Sequence, residues 1–401
     1  MSHTKLVIGF APLLDCAPLV AAAAKGHAAH QGLELSLVRE TSWANIRDRL
    51  IVGHFDAAHM LGPMPIASTL GIGHLKVPMI APMALGLGGN AITVCTQLHE
   101  DMRRSGMSPE ADPGAQGDAL RRVIAERRTQ DKPALTLAMV YPFSAHNYEL
   151  RYWLAACGTD PDLDVQLIVI PPPLLVDAMR CGQVDGFCAG EPWNSLAVEA
   201  DVGRILMGTT AIWRNSPEKV LGLRTSWAQE HPEQLSALVR ALHTSAAWCA
   251  QPENHAELAT LLAEPRHIGA ASEVLYRTLS GRLRLTPQAD PVRVAGFYLP
   301  AQYCANFPWK SHALWFYSQM VRWRQIAASA DNEMAARDTY RPDLYRAALA
   351  PLNIDVPSVD SKPEDFTDTV SEVPSLHGRL PIGAQGFFDR RGFDPDQPIS
   401  G

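Results

Sequence analysis

The sequence lacks the features that mark several large classes of protein. Its seven cysteines are odd in number and form no CxxC pair, which predicts reduced thiols rather than a disulfide framework or a zinc site. Acidic residues outnumber basic ones, 42 to 35, which argues against direct binding of nucleic acid. Apolar runs stay far below the roughly 20 residues of a membrane span. We therefore expect neither nucleic-acid contact nor membrane insertion.

Motifs for nucleotides, nucleophilic catalysis and metals are missing as well. The glycines at 71–73 and 86–89 do not have the spacing of a phosphate-binding loop, and no Gly-x-Ser-x-Gly or HExxH sequence occurs. His27 and His30 have no acidic partner at the spacing of metal ligands. The sequence thus predicts no catalytic residue, no metal and no cofactor.

The N-terminus enters an apolar strand within five residues. It has neither a basic segment followed by a long apolar stretch nor a lipidation cysteine. Together with the reduced cysteines, this favours a cytoplasmic location.

Hydrophobic periodicity predicts an α/β protein with two series of alternating strands and helices. The first series opens with strands at 5–10 and 33–38 around a helix, and the second spans 134–200. Such alternation predicts mostly parallel sheets covered on both faces. The sequence from 226 to 328 is typical of helices, whereas the residues after 340 are rich in Pro, Asp and Gly and predict an extended segment.

Polar residues cluster at the predicted strand-to-helix junctions, where α/β folds bind ligands. One cluster is Ser42-Trp-Ala-Asn, and another is Gly186-Phe-Cys-Ala-Gly-Glu-Pro-Trp-Asn. In order and content these blocks resemble the nitrate- and bicarbonate-binding family of periplasmic-type solute-binding proteins, over roughly residues 5–325. The seven blocks lie at 42–48, 62–65, 89–93, 139–154, 168–173, 186–194 and 217–222.

The resemblance implies a fold of two lobes that close on a small planar anion. This is the type II periplasmic-binding-protein-like fold, in which each lobe is a mostly parallel sheet flanked by helices. The chain would cross between the lobes near 91–95 and 219–223. The implied division is lobe 1 at 1–92 and 219–340, lobe 2 at 93–218, and an extended C-terminal arm at 341–401.

Carried over from the family block by block, five residues would line the anion site, and each of them is a donor. Nitrate is a planar monovalent anion with three weakly accepting oxygens, so several convergent donors and one positive charge suit it. Lys219 would supply the only formal charge. The five are Trp43 through its indole N–H, Asn90, His146, the main-chain N–H of Gly190, and Lys219.

Two positions discriminate between ligands within the family. Bicarbonate-binding members have a hydroxyl and a calcium-recruiting acidic residue in place of His146 and Lys219, so this pair favours nitrate or nitrite without a metal. Asn90 stands where nitrate-transport members carry the longer Gln, which leaves nitrate and nitrite as alternatives. If His146 binds as an imidazolium, anion affinity should fall as the pH rises through its titration.

The missing export signal makes the cytoplasmic NasS-type nitrate/nitrite sensors the family members that the chain resembles most. That resemblance implies a partner, a response-regulator-like RNA-binding antiterminator, which is released when the anion binds. One alternative is the substrate-binding component of a nitrate or bicarbonate ABC transporter. Another is an enzyme resembling the thiamin pyrimidine synthases, although their cysteine cluster is reduced here to Cys188.

Overall fold

Two five-stranded sheets, each flanked by helices, organise the chain in the computed structural model, which describes residues 3–73 and 75–399. The strands are β1 Thr4–Phe10, β2 Leu33–Arg39, β3 Ala57–Leu61, β4 Met79–Ala84, β5 Leu87–Gly88, β6 Asn90–Cys95, β7 Leu135–Met139, β8 Val165–Val169, β9 Gly186–Gly190, β10 Gly203–Gly208, β11 Trp213–Arg214, β12 Lys219–Arg224, β13 Arg282–Leu283, β14 Val292–Arg293, β15 Tyr298–Leu299, β16 Ser371–Pro374, β17 Arg379–Ile382 and β18 Gly386–Phe387.

The helices cover the faces of both sheets and continue after β12. They are α1 Ala17–Ala24, α2 His27–His30, α3 Trp43–Ile51, α4 Pro63–Leu70, α5 Thr96–Arg104, α6 Pro113–Thr129, α7 Ala145–Ala156, α8 Leu175–Arg180, α9 Trp193–Glu199, α10 Thr225–Glu230, α11 Pro232–Cys249, α12 His255–Ala263, α13 Ser272–Leu279, α14 Lys310–Arg322, α15 Ala330–Thr339 and α16 Pro342–Leu349. In the described part of the chain no helix is both long and apolar enough to cross a membrane.

The two sheets have the same arrangement of strands, and each is flanked by helices, which confirms the predicted α/β fold. Their strand orders are β2-β1-β3-β12-β4 and β10-β6-β9-β7-β8. In the first sheet β12 runs against its neighbours, and in the second β6 does, while the other four strands of each sheet share one direction. The central strands β3 and β9 are buried along their whole length, as expected when helices cover both faces.

The two crossings between the sheets lie side by side. The backbone N–H of Gly88 donates to the carbonyl of Ser216 at 2.9 Å, and Leu87 forms a bridge with Pro217. A third segment, β15, pairs with β5. Gly88 has a φ of +69°, and a Cβ there would lie 2.3 Å from the carbonyl oxygen of Phe297, so only glycine fits this crossing.

The chain crosses between the sheets at Leu87–Gly88 and again at Ser216 and Pro217, slightly before the predicted positions near 91–95 and 219–223. The segment predicted near 91–95 is β6, which belongs wholly to the second sheet, and the one near 219–223 is β12, which belongs wholly to the first. The boundary predicted between residues 92 and 93 therefore falls inside β6. The reason is burial: β6 is buried from Asn90 to Val94 and is held between β10 and β9.

Two stretches differ from the predicted secondary structure. The region expected to be largely helical up to 328 includes the short strands β13, β14 and β15, and β15 exists because it pairs with the crossing segment β5. The C-terminal arm is extended for most of its length but begins with α16, whose first residue is Pro342.

The C-terminal arm packs on both lobes. Its strand β18 pairs with β11, and the ring of Phe387 lies 4.9 Å from that of Trp213 and 4.8 Å from that of Tyr152. The hydroxyl of Tyr152 donates to Asp389 at 2.9 Å. On the other side, Val373 joins the apolar core under the first sheet. The arm therefore ties α7 of lobe 2 to lobe 1.

Candidate functional site

The lobes meet where loops leave the carboxyl ends of their strands. The backbone N–H of Leu14, after β1, donates to the carbonyl of Glu191, after β9, at 2.8 Å. The indole N–H of Trp193 donates to the carbonyl of Pro12 at 3.2 Å. Ligand sites of α/β sheets form outside this edge, so the space between the loops is where a site is expected.

Local structure places each predicted side chain at this edge. Trp43 is the first residue of α3, whose start is capped by the Ser42 hydroxyl accepting from the Asn45 N–H at 3.2 Å. His146 is the second residue of α7, which Ser144 caps in the same way at 3.0 Å. The two caps therefore fix where these helices begin.

The remaining three predicted residues stand at strand ends. Asn90 opens β6 and pairs in register with Gly190 at the end of β9. Lys219 opens β12 opposite Leu61, the last residue of β3. Because β6 and β12 run against their neighbours, their first residues lie at the carboxyl edge of the other strands.

The structure brings all five predicted residues together in one buried cluster. The ammonium of Lys219 lies 5.6 Å from the centre of the Trp43 ring, and Glu218 joins Lys219 to His146, whose Nδ1 is 3.2 Å from the Glu218 carboxylate. A Cβ on Gly190 would lie 3.3 Å from Oδ1 of Asn90. The exposed fraction is at most 1% for each of Trp43, Asn90, His146 and Lys219.

Three acidic residues of the cluster were missed by the sequence reasoning. Asp15 lies 2.8 Å from the Lys219 ammonium, Glu218 pairs with the same ammonium, and Glu149 is buried one turn along α7 from His146. The cluster that holds the five predicted donors thus also contains carboxylates, and Lys219 is not the only charged residue in it. Glu218 could have been noticed as the neighbour of Lys219 in the 217–222 block, and Glu149 by its i, i+3 spacing from His146.

His59 in β3 supports the Asp15 carboxylate. Its Nδ1 accepts from the backbone N–H of Ala11 at 3.4 Å, and its Nε2 is 3.0 Å from Oδ1 of Asp15. This arrangement puts the proton on Nε2, so a neutral His59 donates to Asp15. Burial lowers the pKa of His59, in agreement with the neutral form.

The Asp15 and Lys219 side chains form a buried ion pair. Burial raises the pKa of Asp15, but the charge of Lys219 and the contact with His59 outweigh it and hold that pKa well below its usual range. For Lys219, burial lowers the pKa, and the two carboxylates outweigh this effect and raise it. Both groups are therefore charged at neutral pH.

The other two carboxyl groups titrate near neutral pH. Burial, opposed by Lys219 and assisted by Asp15, raises the pKa of Glu218 to about 7. Burial and the negative charge of Glu218 raise the pKa of Glu149 to about 8. His146 shifts in the opposite direction, since burial and the charge of Lys219 hold its pKa well below 6.5. The neutral imidazole, not the imidazolium, is thus the form to consider for His146.

Four nitrogen atoms of the five predicted residues have no hydrogen-bond partner among the described residues. They are Nε1 of Trp43, Nδ2 of Asn90 and both ring nitrogens of His146, and all are buried. A buried polar group without a partner costs about 1–3 kcal/mol, so such atoms at a lobe junction indicate a binding function. Within the described ranges no group of three or more His, Cys, Asp or Glu side chains is arranged to hold a metal ion.

These features define the class of the protein: a two-lobed solute-binding protein whose buried polar site lies between the lobes. The sequence profile of the NMT1-like family matches residues 1–263, and the chain belongs to that family. Within that family, similarity to NrtA proteins places the chain among the nitrate- and bicarbonate-binding proteins of ABC-type systems, as the sequence blocks predicted.

Known proteins match nearly the whole chain. The nitrate/nitrite binding protein NrtA of Synechococcus elongatus is 32% identical over 407 residues, 98% of this chain and 84% of NrtA. The nitrate import ATP-binding protein NrtC of Synechocystis sp. is 36% identical over 88% of this chain but only 51% of its own length. The chain thus spans about half the length of that relative.

The fold agrees with these matches. The crystal structure of the periplasmic nitrate-binding protein NrtA from Synechocystis PCC 6803 superposes with a TM-score of 0.85 at 27% identity and covers 98% of this chain and 96% of that one. The two NrtA proteins, of which the chain covers 84% and 96%, are binding proteins. The prediction of a binding protein, and not an enzyme, is thereby confirmed.

Proposed function

We propose that the chain binds nitrate or nitrite between its lobes and serves as the solute-binding component of an ABC-type import system. One observation carries the proposal: the unpaired nitrogens of Trp43 and His146 lie in the same buried cluster as the Lys219 ammonium. Nitrate offers three acceptor oxygens in a plane and one negative charge, which suits donors that converge from two lobes. The names of the NrtA relatives support the same ligand.

The charges of the cluster favour a monovalent ligand. Lys219 is opposed by Asp15 at 2.8 Å, so the site has little net positive charge to offer. Burying a second negative charge there would cost more free energy than the donors return. We therefore expect nitrate and nitrite to bind and sulfate to be rejected.

Calorimetry of the purified chain tests the proposal. Nitrate, nitrite, bicarbonate and sulfate are titrated into the protein, each with and without a chelator. Binding of nitrate or nitrite that is unaffected by the chelator supports the proposal. Binding of bicarbonate alone, and only without chelator, would replace it with the calcium-assisted alternative of the same family.

A second candidate is the nitrate/nitrite sensor in the cytoplasm, and the cysteines favour it. All seven are free thiols, and burial raises the pKa values of Cys16, Cys188 and Cys249. An odd number of unpaired thiols, three of them buried, is typical of a reducing compartment. In this role the protein would hold a response-regulator-like RNA-binding antiterminator and release it when the anion binds.

Two experiments separate the sensor from the import component. Fractionation of native cells shows whether the protein lies outside or inside the inner membrane. On a sizing column, a sensor should co-elute with the antiterminator and leave it as nitrate is added, by the usual allosteric coupling of about 1–3 kcal/mol. An import component should instead ignore the antiterminator at every nitrate concentration.

A further inference from the structure

The side chain of Glu218 stands between the cation of the site and its imidazole. One carboxylate oxygen contacts the Lys219 ammonium, and the other lies 3.2 Å from Nδ1 of His146. Glu218 is 2% exposed and His146 is fully buried, so water does not compete for this contact. Nδ1 and the facing oxygen are not hydrogen-bonded, so Glu218 acts on the imidazole through its charge. The protonation state of Glu218 therefore biases which nitrogen of His146 carries the proton.

Two arrangements are possible for the neutral imidazole. When Glu218 is ionised, its negative charge 3.2 Å from Nδ1 favours the proton on Nδ1, and Nε2 is then an acceptor that repels an anion. When Glu218 is protonated, that charge is absent and the imidazole can carry its proton on Nε2, which becomes a donor. Only the second arrangement turns the unpaired Nε2 into a group that can hold an anion.

The charge balance leads to the same conclusion. With Lys219 positive, Asp15 negative and both histidines neutral, an ionised Glu218 gives the cluster a net negative charge. A protonated Glu218 makes the cluster neutral and releases the Lys219 ammonium from one of its two carboxylate partners. An incoming monovalent anion is repelled in the first case and can be accommodated in the second.

We propose that the anion enters this site together with one proton, which Glu218 takes up and which makes His146 a donor at Nε2. Glu218 is thus a positioning residue, since it acts on the ligand through His146 and Lys219. The inference rests on the proposed function, because it assumes that nitrate binds at this cluster. Nitrate does not protonate in the neutral range, so any proton taken up must be held by the protein.

Glu218 and Glu149 are the two carboxyl groups of the cluster with pKa values near neutral pH, and Glu218 is the one that contacts both Lys219 and His146. Burial raises the pKa of Glu218 to about 7, whereas that of Glu149, on α7, is raised to about 8. The remaining neighbours keep one form through this range. They are Asp15 (pKa lowered), Lys219 (raised), His146 (well lowered), Cys188 (well raised) and Tyr340 (raised), and Asn90 is the nearby neutral amide.

The test counts protons during nitrate binding. Calorimetry at pH 6, 7 and 7.5, in buffers of different ionisation enthalpy, gives the number of protons taken up per nitrate. We expect uptake to rise towards one above the pKa of Glu218 and affinity to fall there, approaching about tenfold per pH unit. In ¹⁵N NMR, His146 of the nitrate complex should carry its proton on Nε2.

Variants assign the proton to a residue. Glu218→Gln imitates the protonated carboxyl, so its nitrate affinity should be independent of pH and accompanied by no proton uptake. Glu191→Gln is the matched control: the pKa of this fully buried carboxyl is also raised to about 7 by burial, yet its oxygen accepts from the Ser195 N–H, outside the cluster. This control should keep the wild-type dependence on pH.

The outcomes separate the inference from the proposed function. Nitrate binding with constant affinity and no proton uptake from pH 6 to 7.5 would overturn the inference and leave the proposed function standing. The absence of nitrate binding at every pH would overturn both. If Glu218→Gln does not fold, the proton count of the wild-type protein decides the matter by itself.

Discussion

The Asp15 carboxylate and the Lys219 ammonium lie 2.8 Å apart in the buried centre between the lobes, although they come from distant parts of the chain. Asp15 follows the end of β1, and Lys219 opens β12 in the same sheet. The pair therefore fixes the loop after β1 beside the strand that returns from the second lobe. It also sets the charge that any ligand of the site meets.

Replacing Lys219 should affect both stability and binding. Lys219→Met removes a buried cation and leaves Glu218 without its partner, and breaking a buried ion pair costs about 3–5 kcal/mol. We expect a loss of this size in chemical denaturation and no measurable nitrate binding by calorimetry. Lys25→Met is the control, since its pair with Glu257 is partly exposed and should contribute less than about 1 kcal/mol. Undiminished nitrate affinity in a folded Lys219→Met protein would contradict the account.

Trp43→Phe should weaken binding more than it weakens the fold. The substitution removes an N–H that has no hydrogen-bond partner among the described residues, so its cost to the free energy of unfolding is only that of the smaller buried ring, about 1 kcal/mol. Nitrate affinity should fall about tenfold, the value of one hydrogen bond at the upper end of its range. Denaturation and calorimetry on the same preparations measure the two effects.

Trp227→Phe provides the opposite pattern as a control. The indole N–H of Trp227 donates to Asp56 at 3.1 Å, away from the cluster. Its loss should lower the free energy of unfolding by about 1 kcal/mol beyond the cost of the smaller ring and leave nitrate affinity unchanged. If the two tryptophan variants behave alike, the indole of Trp43 has only a structural role.

Glu149 should make the protein less stable as the pH rises. Its pKa is raised to about 8 in the folded chain and is 4.5 in the reference state, so between these values the folded state holds a proton that the unfolded state has lost. Stability therefore falls with rising pH through this range, by about 1.4 kcal/mol per pH unit from this group. Glu149→Gln should remove that share of the slope in denaturation curves measured from pH 5 to 8. An unchanged slope would show that Glu149 is ionised in the folded protein.

Gly190→Ala should hinder closure of the lobes. The added Cβ would lie 3.2 Å from Leu13 of the first lobe and 3.3 Å from Asn90, both tighter than ordinary contact. Because Gly190 does not have a positive φ, the second lobe itself should fold normally. We expect nitrate affinity to fall at least tenfold, whereas Gly114→Ala, at the start of α6 and against the Asp112 cap rather than the other lobe, should leave nitrate affinity unchanged. Wild-type affinity in Gly190→Ala would place the anion away from this junction.

The sequence predicts those parts of the fold that depend on local patterns. The alternation around β1 and β2 and the Ser42 cap of α3 are confirmed, because hydrophobic period and capping are properties of a few neighbouring residues. The short strand β15 was not predicted, since it is defined by pairing with β5 rather than by its own residues. The helix α16 lies in a Pro-rich stretch whose composition concealed it.

The same distinction applies to the site. The five predicted residues lie together at the lobe junction because they stand at helix starts and strand ends, which local sequence patterns indicate. The effect of the carboxylates on the site could not be predicted from the sequence. The contact of Asp15 with Lys219 depends on two segments that are remote in sequence but close in the fold. Burial is also a property of the folded chain, and it is burial that makes His146 neutral and brings the titration of Glu218 close to pH 7.

A crystal structure of the protein with nitrate tests the central claim most directly. The account predicts one nitrate between the lobes, with its oxygens within hydrogen-bond distance of Nε1 of Trp43 and Nε2 of His146 and beside the Lys219 ammonium. Nitrate bound elsewhere, or an unoccupied junction at saturating nitrate, would contradict it.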